Sequence, residues 1–203
     1  MTLKLNGSSS GSVAIDAPAS TTGGADVALT LPVNDGEAGQ VLQTNGSGVL
    51  TWIYPAGTGA FRAYRNGSQT MVHNTFDLVE YNAETFDLNG WYDHSTNFRY
   101  TPQVAGYYKF DAHIWISGLG TSDNTEFQLG FWKNGTVYSR SDRSDDSNYG
   151  GQQSTIATDI IQLNGSSDYV DVRLLNYNSS SSNRDVQGQS SLTYWSGHLV
   201  EAT

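Results

Sequence analysis

The sequence predicts an all-β protein whose larger, C-terminal part is a β-sandwich. The first observation is a strict alternation of apolar residues, which is the period of a strand with one buried face. In segment 107–116 the apolar set is Tyr108, Phe110, Ala112, Ile114 and Ile116. The second is a recurring Asn-Gly pair, which favours the positive φ angles of tight turns. These pairs begin at Asn66, Asn89, Asn134 and Asn164. Third, residues 60–203 show no helical period.

The composition narrows the function classes. The chain has 203 residues, a net charge of −10 and only 15% charged residues. Its ten basic residues are scattered, which disfavours nonspecific nucleic-acid binding. It has no cysteine, so a disulfide framework, a thiolate metal site and a cysteine nucleophile are excluded. No apolar run of membrane-spanning or signal-peptide length occurs, so we expect neither membrane insertion nor secretion by the general route.

Residues 1–54 differ from the rest of the chain, because short apolar runs alternate there with Gly-, Ser- and Asn-rich breaks. The runs cover 13–15, 28–31, 41–42 and 49–52. Strands this brief could hardly enclose a core in one copy. The segment is therefore either a flexible tail or a set of strands ordered by winding with other copies or by docking on a partner. The alternation and the terminal Trp52 favour the second interpretation.

Residues 55–59 predict a linker, and residues 60–203 predict the sandwich, which we call the head. After the first strand near Phe61, a strand is predicted over 76–82. An aromatic strand then follows the turn at Asn89 and leads through a break at 102–106 into strand 107–116. The later strands show the same alternation. They lie at 127–131, before the hairpin turn 134–135, at 156–160 and 170–174 on either side of the turn 164–165, and at 194–199.

The order of these head elements resembles the globular head of complement subcomponent q, a jelly roll of the tumour-necrosis-factor superfamily. The resemblance covers 60–199. It is carried by the F-x-A start at Phe61, the Lys133–Gly135 turn, the closing aromatic-Ser-Gly-x-Leu at 195–199 and a central motif. The central motif consists of Phe98, Pro102, Gly106, Tyr108 and Phe110. The resemblance implies a jelly-roll head that assembles as a compact homotrimer.

The second face of strand 107–116 supports the same expectation. It carries Tyr107, His113 and Trp115 beside Lys109 and Asp111. This mixture is rich in aromatics for a solvated surface and too polar for an intramolecular core, so it suits an interface between copies. Scattered surface aromatics that need no partner are the alternative.

The segment 3–52 resembles the N-terminal parts of bacteriophage fibre proteins, particularly those of phages that infect cyanobacteria and marine bacteria. The matching run is LKLNGSSSGSVAIDAPA followed by LTLPVNDGEAGQVLQTNGSGVLTW. This resemblance implies a virion structural protein whose N-terminal segment is a stalk or attachment part. Release by host lysis would explain an extracellular location without a secretion signal.

No catalytic motif is recognisable. The four histidines, at 73, 94, 113 and 198, lie far apart, and no G-x-S-x-G elbow occurs. We therefore predict no enzymatic activity and no required cofactor. The acidic segment 141–150 could hold Ca²⁺ through carboxylate oxygens, but it lacks the EF-hand spacing and contains Arg143. A solvated loop is the favoured interpretation of that segment.

Two loops combine aromatic rings with Asp and Asn, as sugar-binding surfaces do. The candidate ligand residues are Trp91, Tyr92 and Asp93 in the first loop, and Asp145, Asp146, Asn148 and Tyr149 in the second. For Trp91 and Tyr92 the competing interpretation is burial, since the resemblance implies a buried aromatic at this place.

Together these features favour a trimeric phage fibre, located in the virion, whose head binds a host-surface glycan or protein. The alternative is a capsid decoration or head-fibre protein with a structural or display role. A bacterial signalling ligand of the same fold is a third possibility, weakened by the missing secretion signal.

Overall fold

A computed structural model describes residues 3–6, 9–15, 18–119, 124–145 and 151–203. Within these ranges, side chains at 3–6, 13–14, 118–119 and 143–145 are not described. The regular secondary structure of the described chain is β-strand, apart from one 3₁₀ turn at Thr22–Gly24. The predicted all-β class is confirmed. Among the described residues there is no helix long and apolar enough to span a bilayer. The chain divides into two compact units, Met1–Ile53 and Tyr54–Thr203.

The strands are numbered in chain order. They are β1 (Leu3–Asn6), β2 (Ser12–Ile15), β3 (Val41–Thr44), β4 (Leu50–Ile53), β5 (Phe61–Tyr64), β6 (Gln69–Met71), β7 (Phe76–Leu78), β8 (Ala83–Asp87), β9 (Tyr92–Asp93), β10 (Arg99–Tyr100), β11 (Ala105–Leu119), β12 (Thr125–Lys133), β13 (Thr136–Asp145), β14 (Gly151–Asn164), β15 (Val170–Asn178), β16 (Arg184–Val186) and β17 (Tyr194–Ala202).

In its described residues the N-terminal unit contains two small antiparallel pairs, β1 with β2 and β3 with β4. Of the predicted run 28–31, only Thr30 is paired, through a parallel bridge to Val49. No residue between 9 and 53 whose exposure is described is buried. Trp52 is half-buried, lies against Gly36 and donates from its indole nitrogen to the Asn34 carbonyl at 3.0 Å.

The C-terminal unit contains two antiparallel sheets in its described residues. The six-stranded sheet has the order β13-β12-β15-β10-β9, with β7 also paired to β15. The seven-stranded sheet has the order β6-β16-β11-β17-β5-β8, with β14 also paired to β11. Consecutive strands frequently lie in different sheets, as they do where the chain passes from β11 to β12 and from β14 to β15.

Strand β11 is the centre of the seven-stranded sheet, between β14 and β17. Its predicted inward set is buried, from Tyr108 through Ile116, and the alternation predicted for 107–116 is confirmed. The Phe110 ring faces Phe131 of β12 across the core, with ring centroids 5.9 Å apart. The inward faces of the two sheets therefore meet, and their outward faces point away from each other.

The core is dominated by aromatic rings, several of which carry a hydroxyl that needs a partner when buried. The Tyr100 hydroxyl donates to the Gly59 carbonyl at 2.8 Å, and the Tyr108 hydroxyl donates to Val104 at 2.7 Å. The predicted linker 55–59 is hydrogen-bonded to the head here. Gly57 donates to the Leu199 carbonyl at 2.8 Å, and Leu199 donates to Thr58 at 3.0 Å.

Every predicted Asn-Gly turn has its glycine at positive φ. At 134–135 both residues are positive, with φ of 53° and 77°, and the pair closes the hairpin between β12 and β13. The turn at 164–165 differs, because β14 and β15 belong to different sheets. Asn-Gly chemistry sets the local bend in both places, whereas packing of the sheets decides whether the flanking strands pair.

Two predicted elements are corrected. The strand predicted over 76–82 ends at Leu78, because the chain turns so that Val79 and Tyr81 become buried in the core. The acidic loop predicted over 141–150 is strand through Asp145, since Ser141 through Asp145 pair with β12. Its remaining residues, 146–150, lie outside the described part of the chain.

Gly197 in the closing motif lies directly opposite Phe110 in the β11–β17 pair. A Cβ at 197 would come within 2.7 Å of Phe110 Cε1 and 2.9 Å of the Lys109 carbonyl oxygen. The Gly197→Ala substitution should therefore lower the free energy of unfolding by about 1–3 kcal/mol through overpacking. Urea denaturation followed by circular dichroism measures this change. Ser196→Ala, at the adjacent, less buried position, is the control, and an equal effect of both substitutions would contradict the packing account.

Candidate functional site

The head presents one candidate surface on each sheet. The first is the outward face of the seven-stranded sheet, which we call the outer face. It comprises Tyr107, Lys109, Asp111, His113 and Trp115 of β11 with Ile156, Thr158 and Ile160 of β14. Ile156 pairs with His113 and Ile160 pairs with Lys109, so the two isoleucines flank the polar centre of the face.

The apolar residues of the outer face are open to solvent in one copy. Ile156 is 61% exposed, Ile160 49% and Tyr107 41%. Exposed aliphatic side chains lie here beside partly buried aromatic ones. This combination on one sheet face is typical of an interface rather than of a solvated surface.

The polar centre of the outer face is internally bonded. Lys109 Nζ lies 3.0 Å from Asp111 Oδ1, and the Thr158 hydroxyl donates to the same oxygen at 2.6 Å. Burial alone would raise the pKa of Asp111, but the hydrogen bonds from Thr158 and Lys109 outweigh it and lower the pKa below its usual value. The Asp111 charge is thus compensated within its own copy.

The three predicted interface residues differ in their exposure to solvent. Tyr107 is exposed, while His113 and Trp115 are half-buried. The His113 ring stacks on Tyr194 of β17 at 5.3 Å between centroids, and its Nδ1 contacts the Leu192 carbonyl oxygen. His113 is therefore held by its own chain, and Tyr107 is the most available of the three. Their role at an interface stays a prediction.

The second candidate surface is an open cleft of about 600 Å³ beside β9 and β10, at the edge of the six-stranded sheet. It is lined by Gly90, Trp91, Tyr92, Asp93, Asn97, Arg99, Thr101, Gln103, Gly165 and Ser166. Two polar turns contribute to its lining, 93–97, which we call the first wall, and 164–168, which we call the second wall.

Asp93 holds the first wall in place. Its Oδ1 accepts hydrogen bonds from the backbone of Ser95 and Thr96 at 3.0 Å each, and its Oδ2 accepts two from Asn97 at 3.0 and 2.7 Å. Burial alone would raise the pKa of Asp93, but these hydrogen bonds lower it well below its usual range. The carboxylate is a structural cap for this turn, with little capacity left for a ligand.

Asn164 holds the second wall in the same manner. Its side-chain oxygen accepts the backbone N–H groups of Ser166, Ser167 and Asp168 at 2.9 to 3.0 Å. Gly165 packs against the backbone of Val104, where any Cβ would collide. Asp168 in turn bonds Asn134 at 2.7 Å and Lys133 at 2.9 Å. The wall is therefore tied to the β12–β13 hairpin turn.

Arg99 also lines the cleft. It follows an alternation in which Tyr100 points into the core, so its side chain is on the outward side of the six-stranded sheet. Its guanidinium lies over the Tyr169 ring, 4.3 Å from the centroid, which is cation–π geometry.

The predicted ligand residues Trp91 and Tyr92 are core residues at the base of the cleft. Trp91 is 8% exposed and packs edge-on against Tyr100, with ring centroids 6.1 Å apart. Tyr92 is 5% exposed, stacks on Phe61 at 5.2 Å and donates its hydroxyl to the Tyr81 carbonyl. Neither presents an open ring face on which a sugar could stack, because both rings fill the sandwich.

The second predicted ligand loop is largely outside the described residues. Asp146, Asn148 and Tyr149 belong to the undescribed range 146–150, and Asp145 ends β13 opposite Thr125. A ligand role or a Ca²⁺ site there stays a prediction. Among the described residues no group of three or more His, Asp or Glu side chains could hold a metal ion.

The structure keeps the histidines apart. His94 pairs with Glu84 at 2.7 Å, His73 stacks near Tyr177, and His113 stacks on Tyr194. His198 is opposite Lys109 across the β11–β17 pair.

Sequence reasoning missed Arg99 and the 164–168 turn as parts of a site. Asp93 and Asn164 are each followed within two residues by Ser-Thr-Asn or Ser-Ser-Asp, which is a recognisable signal for a side-chain-capped turn. Nothing in the sequence indicates that the two turns border one cleft.

The fold is similar to that of known jelly rolls. The globular domain of zebrafish complement 1qA protein matches with a TM-score of 0.50 and 16% identity, over 72% of this chain and 100% of that one. Murine APRIL matches with a TM-score of 0.50 and 11% identity, also over 72% and 100%. No protein-family profile and no curated protein sequence matches the chain. The predicted resemblance is thus confirmed as a likeness of fold.

Replacing Asp93 by alanine should loosen the first wall. Loss of the five hydrogen bonds that the Asp93 carboxylate accepts should lower the free energy of unfolding by about 1.5–3 kcal/mol. Since the pKa of Asp93 is lowered in the folded protein, its contribution is complete above the unfolded value near pH 4 and is lost as the pH falls through the folded value. The difference between wild type and Asp93→Ala should therefore shrink in acid.

Urea denaturation at pH 7 and at decreasing pH values checks this. Thr96→Ala is the control, because it lies in the same turn and keeps its backbone donor to Asp93. A pH-independent difference would contradict the role assigned to the charge.

Proposed function

We propose that this protein is a homotrimeric bacteriophage fibre whose residues 1–54 attach to the virion and whose head binds a glycan on the host surface. The observation that carries the proposal is the position of the two candidate surfaces on different sheets. The outer face belongs to the seven-stranded sheet and the cleft to the outward side of the six-stranded one. Self-association through the first leaves the second open to a receptor.

The outer face supports the trimer. Ile156, Ile160 and Tyr107 expose apolar surface in one copy, while Lys109 and Asp111 are already paired with each other. A neighbouring copy could therefore cover the isoleucines without burying an unpaired charge, which would be costly.

The N-terminal unit supports attachment by association. Its described side chains form no buried core, and alternate residues of an extended stretch are exposed aliphatics. These are Val27, Leu29, Leu31 and Val33. Such a row of side chains is stabilised when other copies, or a virion protein, cover it.

The head supports binding rather than catalysis. The acidic residue of the cleft lining is Asp93. Its carboxylate caps its own turn through hydrogen bonds, which lower its pKa below the usual range. No described histidine lines the cleft. An open cleft of this kind favours weak binding, and three copies on one rigid head would raise the avidity through effective concentration.

The trimer is tested by charge substitution on the outer face. Ile156→Asp combined with Ile160→Asp should convert the protein to monomers, since each interface would have to bury uncompensated carboxylates. Light scattering coupled to size exclusion measures the mass at micromolar concentration.

Val137→Asp is the matched control for these substitutions. Val137 is 49% exposed, like Ile160, but lies on β13 of the other sheet. It should leave the mass unchanged. A monomeric wild type, or dissociation by the control alone, would overturn the assembly.

The virion role is tested by locating the protein on intact phage particles with gold-labelled antibody. Label at the tail or baseplate is expected. Label over the head would instead favour the capsid decoration or head-fibre role, and absence from particles would exclude both.

A further inference from the structure

We propose that the cleft binds saccharides that carry a carboxylate, such as uronic or sialic acid residues, and that Arg99 is the group that selects them. This inference rests on the proposed receptor-binding function and specifies its ligand class. Four features of the described residues support it. The Arg99 side chain has no ion-pair partner, and the neighbouring carboxylates are bonded to other groups. Hydrogen bonds hold the cleft walls, and further polar side chains line the cleft.

Among the described residues, the side chains of Arg99 and Arg140 have no hydrogen-bond or ion-pair partner, and of the two only Arg99 lines the cleft. Four other basic side chains form ion pairs with carboxylates: Arg65 with Glu80, Lys109 with Asp111, Lys133 with Asp168 and Arg173 with Asp171. Among the described residues, Arg99 has no hydrogen-bond or ion-pair partner for its side chain, only the Tyr169 ring. Its N–H donors are therefore available to a ligand.

Two carboxylates lie close enough in the sheet to pair with Arg99, and neither does. Asp93 and Asp171 are its direct cross-strand partners on β9 and β15. Asp93 is used by the 93–97 turn, and both oxygens of Asp171 bond the Arg173 side chain at 2.8 and 3.3 Å. Asp171 is thus paired with a cation and Asp93 with neutral donors of its own turn, which leaves the N–H donors of Arg99 available to whatever enters the cleft.

The cleft around Arg99 is stiff before any ligand arrives. Asp93 and Asn164 hold the two walls through their own hydrogen bonds, and the Tyr169 ring holds the guanidinium plane. The backbone N–H of Tyr169 donates to Asn134 at 2.9 Å, which anchors that ring in turn. Preorganisation of this kind reduces the ordering cost of binding.

The remaining groups suit a sugar that carries an acid. An arginine fork matches the planar carboxylate with two parallel hydrogen bonds, more closely than it matches a single hydroxyl. Thr101 and Gln103, beside Arg99 in the lining, supply a hydroxyl and an amide that can bond sugar hydroxyls. The volume of about 600 Å³ lies in the range of small-ligand sites.

The inference is tested with matched probes that differ in the carboxylate. Trigalacturonic acid is compared with its methyl ester, and sialyllactose with lactose, by saturation-transfer difference NMR on the full-length protein. Binding of at least one acidic probe is expected, with its neutral counterpart about tenfold weaker or silent. Inorganic sulfate is added as a competitor, and displacement of the acid by equimolar sulfate would indicate a general anion site and overturn the assignment.

Substitutions test whether Arg99 is responsible for the selectivity between acidic and neutral probes. Arg99→Gln should weaken the acidic probe about tenfold or more, and Arg99→Lys should weaken it less, because lysine keeps the charge but lacks the fork. Arg140→Gln is the matched control, since Arg140 also lies over an aromatic ring, Phe76 at 5.8 Å, but outside the cleft. Thermal melting verifies that each variant is folded, and Arg99→Lys keeps the test decisive if Arg99→Gln is not.

The outcomes separate this inference from the function on which it rests. Equal binding of acid and ester, unchanged binding by Arg99→Gln, or silence of both acidic probes would overturn the inference. In each case antibody label at the phage tail would leave the fibre proposal standing. Conversely, acid-selective binding that depends on Arg99 would stand even if the label were found over the capsid.

Discussion

The structure depends on one packing contact, the Phe110 ring of β11 against the backbone of Gly197 in β17. Phe110 also faces Phe131 of the opposite sheet and lies 5.4 Å from the Tyr100 ring, so it joins both sheets to the strand that borders the cleft. The ring can occupy this place because position 197 has no side chain. With the inward face of β11 committed to this layer, its alternate residues must face outward, and the outer face follows from the core.

The same logic explains the motifs that carry the resemblance to complement q heads. Gly106, like Gly197, is needed where β11 and β17 approach, since a Cβ there would come within 2.7 Å of Leu199 Cδ1. Lys133 and Asn134 bond Asp168 and so tie the hairpin turn to the 164–168 turn. In this chain these residues solve packing problems of the sandwich. They predict the fold well and leave the ligand undetermined.

In the cleft, the polar turns provide rigidity and Arg99 provides free hydrogen-bond donors. Asp93 and Asn164 form their hydrogen bonds within their own turns, so they stabilise the walls and do not contact a ligand. Arg99 is stacked rather than ion-paired, and for that reason keeps its donors. The predicted ligand residues Trp91 and Tyr92 are buried at the base of the cleft. Large aromatic rings contribute more to stability in the core than on a polar surface.

The all-β class, the inward set of β11 and the Asn-Gly turns could be predicted from the sequence, because strand period and positive φ angles depend only on neighbouring residues. It also indicated a weakly packed N-terminal segment, since runs as short as 13–15 and 41–42 bring too few apolar side chains for a core. It misjudged where strand 76–82 ends and that 141–145 pair with β12, because pairing depends on residues far away in the chain. The sequence could not show that Asp93, Arg99 and Ser166 border one cleft, or that Arg99 has no carboxylate partner among the described residues. Those relations arise from the stacking of two sheets, where contacts between distant strands are set by the shape of the whole core.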